Sequence, residues 1–353
     1  MYMATEKLTA RQFSMNILNG VAIGTVLALI PGALLGELFK ALLGVFPQGQ
    51  FVLDLTTLSN SMLGLIIGVV IGYQFKFTPI QSASIGLAVM VGGGAASFAD
   101  GVLSLDGTGD VINMMFTGAI AAGLVLLLGE RLKSYSIILI PPILLIVGGG
   151  LGYALLPLVA NVTTVIGAFV EQLLTLQPII MGILIAVLFS ILITTPITTV
   201  GIALAVSLAG IGSGAGNLGV VAAGFGLAVA GWGVNSIGTS LAHFIGSPKM
   251  SMPNVFRKPK ILLPVICNAA VLGALAAIFN IQGTPMSAGF GFSGLVGPVN
   301  HLNLADGGWS VLNILITILV FVVIPIALAI LFNYLFTKVW KIIEPEDYRL
   351  DVE

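Results

Sequence analysis

The longest charge-free stretch of this sequence lies between Glu171 and Lys249, and it constrains the possible folds more than any other feature. Its 77 positions contain no lysine, arginine, aspartate or glutamate. A soluble domain cannot bury so much apolar chain, and about 20 apolar residues are enough to cross the ~30 Å hydrocarbon core of a bilayer. The stretch therefore predicts about three membrane spans in a polytopic membrane protein.

The pieces between these spans are small and polar rather than charged, with the sequences TTPITT, GIGSGAGN and NSIGTS. Non-helical backbone at membrane depth is tolerated only where protein buries it or where it borders a wet cavity. We therefore expect broken, glycine-rich segments to line a solute site.

The composition excludes several classes of protein. The 353 residues are 58% hydrophobic and only 8% charged, whereas soluble domains carry about 25% charged residues. A net charge of −1 argues against a nucleic-acid partner. The sequence has no Walker A loop, no metal-ligand spacing and no dinucleotide fingerprint, so we expect no catalytic residue, no metal and no cofactor. Cys267 is the single cysteine, which excludes an internal disulfide.

Hydrophobic runs predict one all-α transmembrane domain over residues 1–353 with about ten spans. They lie at 15–36, 53–73, 78–98, 111–129, 135–156, 178–195, 197–211, 217–237, 261–280 and 309–336. Residues 157–177 are predicted to be an amphipathic or re-entrant helix, and 281–302 a re-entrant hairpin. The hairpin is too rich in glycine and proline for a continuous helix and too apolar for a free loop. The remaining parts are an N-terminal tail (1–14), a basic loop (247–260) and a C-terminal tail (337–353).

Basic residues predict the orientation. With ten spans and a cytoplasmic N-terminus, the basic clusters around Lys76, Arg131, Lys249 and Lys338 all fall on the cytoplasmic side. This distribution obeys the positive-inside rule, with Lys40 as the exception. We expect a multi-pass plasma-membrane protein with both termini in the cytoplasm, provided that 157–177 and 281–302 do not cross.

Neutral polar side chains are the candidates for solute binding. Amides and hydroxyls in apolar surroundings suit a polyol, and a neutral imidazole both donates and accepts. The alternative is structural: these groups cap broken helices, re-satisfy carbonyls near a proline or lie at the membrane interface. The predicted binding residues are Thr195, Thr198, Asn235, His243, Gln282, Thr284, Ser287 and Asn300.

We expect the hairpin and the broken region 194–216 to form one polar site near mid-membrane, approached by His243 from the cytoplasmic side. His301 is predicted to be a solvated loop histidine. Asp54 and Glu171 are predicted to be interfacial, the alternative being intramembrane carboxylates of an ion-coupled carrier. No buried lysine or arginine is expected, which favours a sugar over an anion as the solute.

Two segments carry a family resemblance. AHFIGSPKMSMPNVFRKPKILLP, followed by a span and then FNIQGTPMSAGFGFSGLVGP, resembles the bacterial phosphotransferase-system (PTS) EIIC-like membrane subunits, in particular PfoR-type standalone IIC proteins. The resemblance implies a homodimer that moves a sugar by alternating access, while separate IIA and IIB proteins phosphorylate it. Glucose-type relatives carry a glutamate in a Gly-Ile-Thr-Glu hairpin motif. Here Gly283, Thr284, Pro285 and Met286 supply no carboxylate.

Two other functions remain open at the level of sequence. PfoR-type proteins suggest a membrane sensor, whose regulatory partner would dock on the 247–260 loop or the C-terminal tail. An ion-coupled secondary transporter would instead use Asp54 or Glu171.

Overall fold

The structure is a computed structural model that describes residues 8–99, 101–105, 107–132, 135–285 and 287–350. Its secondary structure is helical apart from one antiparallel hairpin, β1 (Ala96–Ala99) with β2 (Val102–Leu105). The helices are α1 (Ala10–Leu42), α2 (Gln50–Ser61), α3 (Leu63–Gln74), α4 (Pro79–Gly92), α5 (Val111–Leu132), α6 (Ser136–Ile143), α7 (Gly150–Leu173), α8 (Pro178–Leu192), α9 (Thr199–Ala205), α10 (Gly210–Ala230), α11 (Ile237–Ile245), α12 (Met252–Arg257), α13 (Leu263–Ile278), α14 (Val296–Leu304), α15 (Val311–Ile318) and α16 (Ile324–Tyr334).

Six helical stretches in the described part of the chain are long and apolar enough to cross a membrane, and a seventh is added if α2 and α3, bent by 52°, form one span. The six are Ala10–Leu42, Val111–Leu128, Ser136–Leu173, Gly210–Ala230, Pro259–Ile278 and Val311–Val339. The all-α membrane fold is thus confirmed, whereas the count of ten spans is not. Helices α4, α8 and α9, with 14, 15 and 7 residues, are shorter than a full crossing.

Residues 157–177 do not form the separate helix that the sequence predicted. Helix α6 continues through a π-helical turn, Leu144–Gly149, into α7, which passes Pro157 and ends at Leu173. The continuous helix satisfies its backbone groups within the segment, which an apolar environment requires. Helix α1 likewise passes Pro31 and extends to Leu42, beyond residue 36, the predicted end of the first span.

The predicted break at GIGSGAGN is also wrong, because these residues form the first two turns of α10. The irregular backbone lies before α10, at 193–198 and 206–209. Glycines of α10 are instead positions of close contact with other segments. A Cβ on Gly214 would overlap the carbonyl of Ile281, and one on Gly219 would overlap that of Ala186. Small residues let backbones approach in this way in membrane helices.

Three other segments have a structure that differs in detail from the predicted one. The 247–260 region is not an open loop: it contains Pro248–Ser251, α12 and Pro259–Leu262, and its residues 247–255 are buried. The 281–302 region is irregular to 292 and then enters α14. The N-terminal tail is helical from Ala10, and its residues 1–7 lie outside the described part.

The chain divides into two compact units. One comprises the residues up to Ala28 with Ser59–Val159, and the other comprises Leu29–Leu58 with the residues from Ala160 onward. In the first unit α3 packs on α4. Glycines 64, 68 and 72 lie four residues apart on one face of α3, where a Cβ would overlap α4. This spacing is typical of closely packed membrane helices.

In the second unit α10 is the central helix. It packs against α8, α11, α13 and α16, and 94% of an apolar 18-residue stretch of the helix is buried. Helices α8 and α13 meet where Gly182 faces Gly273, since a Cβ on either would overlap the other's carbonyl oxygen. A polar residue on α10 can therefore contact only other protein segments, which makes this helix the scaffold for a buried site.

The C-terminal tail is fixed to this second unit. Tyr348 is 2% exposed and its hydroxyl donates to the carbonyl of Ile261 (3.2 Å). The amide of Asn254 donates to the carbonyls of Asp347 (3.1 Å) and Arg349 (2.6 Å), and Lys258 pairs with Asp347. The two segments that the sequence offered as docking places for a partner, the tail and the 247–260 region, thus contact each other.

Candidate functional site

We call residues 281–295, between α13 and α14, the hairpin. Its shape depends on glycine. Gly289, Gly291 and Gly294 have φ of 91°, 62° and 59°, values that glycine adopts without steric cost. At its start the hairpin is held to α10 by a pair of backbone hydrogen bonds, from the Gly210 amide to the Gly283 carbonyl (2.9 Å) and from the Gly283 amide to the Gly210 carbonyl (3.1 Å). The irregular backbone is thereby buried against the central helix, as its apolar surroundings require.

Three of the predicted binding residues contact one another, two from the hairpin and one from α14. Thr284 donates its hydroxyl to Asn300 Oδ1 (3.1 Å) and its amide to Ser287 Oγ (2.9 Å). Two residues of α10 join them: Ser213 Oγ donates to the Thr284 carbonyl (2.8 Å), and Asn217 Nδ2 lies 3.4 Å from Ser287 Oγ. Asn217 Oδ1 also accepts the amide of Gly291 (3.0 Å). We refer to Ser213, Asn217, Thr284, Ser287 and Asn300 as the polar network.

Gln282 lies at the edge of this network. Its Nε2 donates to Asn280 Oδ1 (2.6 Å), and its backbone amide donates to His301 Nδ1 (3.1 Å). The prediction that His301 is solvated is wrong: it is 2% exposed and its ring lies 6.4 Å from that of Phe321. The reason is that α14 runs back along the hairpin, so its histidine caps the hairpin's first turn.

His243 lies in a small pocket beside the hairpin. The pocket is ≈ 10 Å³, enough for about one water. His243 is 1% exposed; its Nδ1 lies 3.1 Å from the Thr239 carbonyl and its Nε2 2.8 Å from Ser251 Oγ. A carbonyl only accepts, so Nδ1 carries the proton and Nε2 accepts from Ser251. Burial lowers the pKa of His243 to about 4, and the imidazole is therefore neutral near pH 7.

Thr195 and Thr198 lie in the break between α8 and α9 and bond to nearby backbone. Thr195 Oγ1 donates to the Leu192 carbonyl (2.7 Å) and Thr198 Oγ1 accepts the Gly201 amide (3.1 Å) as the N-cap of α9. The next residue connects the break to the hairpin, since Thr199 Oγ1 donates to the Gly289 carbonyl (3.2 Å). The hairpin and the break are therefore in direct contact, while both predicted threonines act locally.

Asn235 is not brought to the polar network. Its Nδ2 donates to the Tyr348 carbonyl (2.9 Å) and its Oδ1 accepts the Leu350 amide (2.8 Å). Both ends of the amide are thus engaged with the C-terminal tail.

Replacing Asn235 with alanine should release that tail. The loss of both bonds should lower the free energy of opening the tail by about 1.4 kcal/mol, since each hydrogen bond contributes about 0.5–1.5 kcal/mol. Hydrogen exchange by mass spectrometry should then report roughly tenfold faster exchange around Leu350. Asn161→Ala, at an exposed position of α7, should leave that exchange unchanged. Equal protection in both variants would contradict the contact.

Lys249 corrects the expectation that no basic residue is buried. It is 5% exposed, and its Nζ donates to the carbonyls of Thr195 (2.5 Å) and Ile197 (2.7 Å). Lys249 lies outside the candidate spans, and burial lowers its pKa to about 7. Asp54 and Glu171, by contrast, are exposed, and Asp54 accepts a hydrogen bond from Gln50 (2.8 Å).

Ser213, Asn217 and Lys249 were not among the predicted site residues. A signal for the first two was present, because they are four residues apart and share one face of a helix. It was missed because GIGSGAGN was interpreted as a break. Nothing in the sequence near Lys249 distinguishes it from the other basic residues of its region.

The helices define a multi-pass membrane protein, and its second unit contains this buried, uncharged polar network. A family model described as "Phosphotransferase system, EIIC" matches residues 15–350, so the chain belongs to the EIIC family of the phosphotransferase system. It is thus a membrane component that works with other proteins of that system and with sugar substrates. No curated protein and no solved structure matches the chain.

Proposed function

We propose that this chain is the permease subunit of a PTS-type system and that the polar network holds the sugar. The observation that carries the proposal is the composition of this network: three hydroxyls and two amides, from α10, the hairpin and α14, connected by two side-chain hydrogen bonds and by bonds to the Thr284 backbone. Such groups exchange hydrogen bonds readily with the hydroxyls of a sugar. Of the other predicted residues, Gln282 lies at the edge of the network and His243 in the pocket beside the hairpin, whereas Thr195, Thr198 and Asn235 bond elsewhere.

The closed geometry supports alternating access. The pocket beside His243 holds about one water, far less than a sugar needs. Ser287 and Asn217 are 1% and 0% exposed, so a sugar reaches them only when the hairpin separates from α10. Broken helices that meet at a buried site are the usual architecture for such a movement.

The membrane context of the proposal follows from the family and from the basic residues. By analogy with its family, separate IIA and IIB proteins would phosphorylate the sugar. The described part of the hairpin differs from glucose-type relatives in carrying no carboxylate. We further propose a homodimer of the PfoR type in a bacterial plasma membrane, with both termini in the cytoplasm.

The experiment is a thermal-shift screen of the detergent-purified chain with monosaccharides, disaccharides, polyols, ascorbate and small anions. A sugar that binds only the folded state stabilises it by about 2.7 kcal/mol at a hundredfold excess over Kd. Thr284→Val removes one hydroxyl of the network and should abolish most of the shift. The matched control is Thr164→Val, whose hydroxyl lies on the exposed face of α7 and should keep the full shift.

An uptake assay in proteoliposomes, added to the screen, distinguishes the other two functions. A sensor of the PfoR type would show a shift without uptake into proteoliposomes. An ion-coupled carrier would show uptake that depends on sodium or pH and is lost on Asp54→Asn or Glu171→Gln. If no solute shifts the midpoint, or if Thr284→Val and Thr164→Val behave alike, the proposed site is wrong.

A further inference from the structure

Lys249 is unusual among the residues whose side chains the structure describes, because it is the only buried lysine, arginine, aspartate or glutamate. Its two acceptors, the carbonyls of Thr195 and Ile197, flank Pro196 in the break between α8 and α9. No described acidic side chain lies within ion-pair distance of it. Burying a charge without a counter-charge costs free energy, and buried ionisable groups with a perturbed pKa cluster at functional sites.

The backbone around Lys249 is tied to the hairpin as well as to the break. Ser293 Oγ, at the end of the hairpin, donates to the carbonyls of Ile245 (2.8 Å) and Gly246 (2.6 Å). We call residues 245–251 the bridging segment. One of its ends is held by the hairpin through Ser293, and the Lys249 amine holds the other end to the break.

The bridging segment covers one wall of the pocket beside the hairpin. Pro248 lines this pocket together with His243 of α11, Val221 of α10 and Phe292 of the hairpin. The rings of Phe244 and Phe292 are also in contact, with centroids 6.0 Å apart. Movement of the segment would therefore uncover the hairpin and the adjacent face of α10.

We propose that Lys249 is a positioning residue of the transport cycle: its amine holds the bridging segment closed over the hairpin, and release of its two hydrogen bonds opens the site. The inference rests on the proposed function in one respect, that the hairpin holds the solute. Lys249 itself need not touch the sugar.

The surroundings of Lys249 make this closure dependent on pH. The elements that pack on Pro248–Ser251 are α10, α11 and α12. Helix α10 and the break at 193–198 carry no titratable side chain, α11 carries His243 and α12 carries Arg257. None of these groups supplies a negative charge, so the buried amine gives up its proton more readily than a solvated one.

The direction of the effect follows from proton binding in the two states. The pKa of Lys249 is about 7 when the segment is closed, and a solvated lysine has its ordinary value of 10.5. At a pH between these two values, Lys249 therefore takes up a proton when the segment opens. A rise in pH within this range favours the closed state. One proton changes the opening equilibrium by at most about tenfold per pH unit.

The test measures opening by cysteine labelling and needs no solute. In the full chain with Cys267→Ser, Val221→Cys places a reporter in the wall of the pocket. Val221 itself is 1% exposed. Its modification by N-ethylmaleimide is compared with that of an exposed cysteine outside the candidate spans, Thr175→Cys, which corrects for the pH dependence of the thiol. We expect the corrected rate to be slow and to fall as pH rises from 7 to 9.

Two substitutions of Lys249 separate its hydrogen bonds from its titration. Lys249→Met removes both donors and should speed labelling at Val221→Cys at least tenfold, with no remaining dependence on pH after correction. Lys249→Arg keeps the donors and does not titrate, so it should restore slow labelling with a flat pH profile. Ser190→Cys, in the buried part of α8, should stay protected in all of them.

Two outcomes overturn the inference, and a third bears on the proposed function alone. Labelling of Lys249→Met at the rate of the parent protein would show that the amine does not hold the segment. Exposure of Ser190→Cys in Lys249→Met would show a general structural role instead. A failed sugar screen combined with the expected labelling would refute the proposed solute and leave the closure standing, so the two failures are distinguishable.

Discussion

Gly214→Val should destabilise the protein more than any other single substitution in the candidate site. Gly214 lies on α10 where the hairpin begins, and a Cβ there would overlap the backbone carbonyl of Ile281. A backbone atom cannot rotate away as a flexible side chain can. Ile281 is itself 0% exposed, so the hairpin must move as a whole.

The expected magnitude follows from overpacking in a closely packed interior, which costs about 1–3 kcal/mol and occasionally more. The midpoint of thermal unfolding, measured on the detergent-purified protein, should fall by several degrees, and sugar-induced shifts should vanish. Gly123→Val is the matched control, because Gly123 is also within a helix and has no atom within 4 Å of the added Cβ. Equal midpoints for the two variants would show that the hairpin does not lie against α10.

Asn217→Leu should have the second largest effect. Asn217 is 0% exposed and accepts the amide of Gly291 at 3.0 Å. Leucine has the same branched arrangement of side-chain heavy atoms but no acceptor, which leaves a buried N–H without a partner. Such a group costs about 1–3 kcal/mol, and Ser287 loses its contact with the Asn217 amide as well.

Two measurements on Asn217→Leu separate local from general damage. The thermal midpoint should fall, and hydrogen exchange should rise most strongly around Gly291 in the hairpin. The control, Asn161→Leu, changes an exposed position of α7 and should alter neither quantity. If exchange rose equally throughout α8, α10 and α13, the substitution would be disrupting the core and not the link to the hairpin.

Much of the fold could be predicted because it depends on hydrophobicity alone. The charge-free stretch from 172 to 248 requires burial in lipid or protein. The apolar runs at 111–129 and 309–336 closely match α5 and the helical stretch Val311–Val339. The glycine and proline content of 281–302 likewise predicted an interrupted helix, and the described residues from 281 to 292 are non-helical. The re-entrant course of this segment stays a prediction.

The glycines show where prediction from sequence failed. In GIGSGAGN they suggested a break, yet they are helical, and Gly214 is needed because Ile281 approaches it. A glycine that breaks a helix and one that admits a neighbouring backbone look the same in sequence. Only the position of the hairpin against α10 distinguishes them.

By itself, the sequence determined the class of this protein, because the free energy of placing apolar residues in a membrane depends on composition and length. It also supplied the neutral polar residues of the hairpin. The tertiary structure alone decided which of them meet: Thr284, Ser287 and Asn300 join Ser213 and Asn217, while Asn235 binds the C-terminal tail. It also decided that Lys249 is buried, because burial and hydrogen bonding depend on segments more than 50 residues apart in the chain.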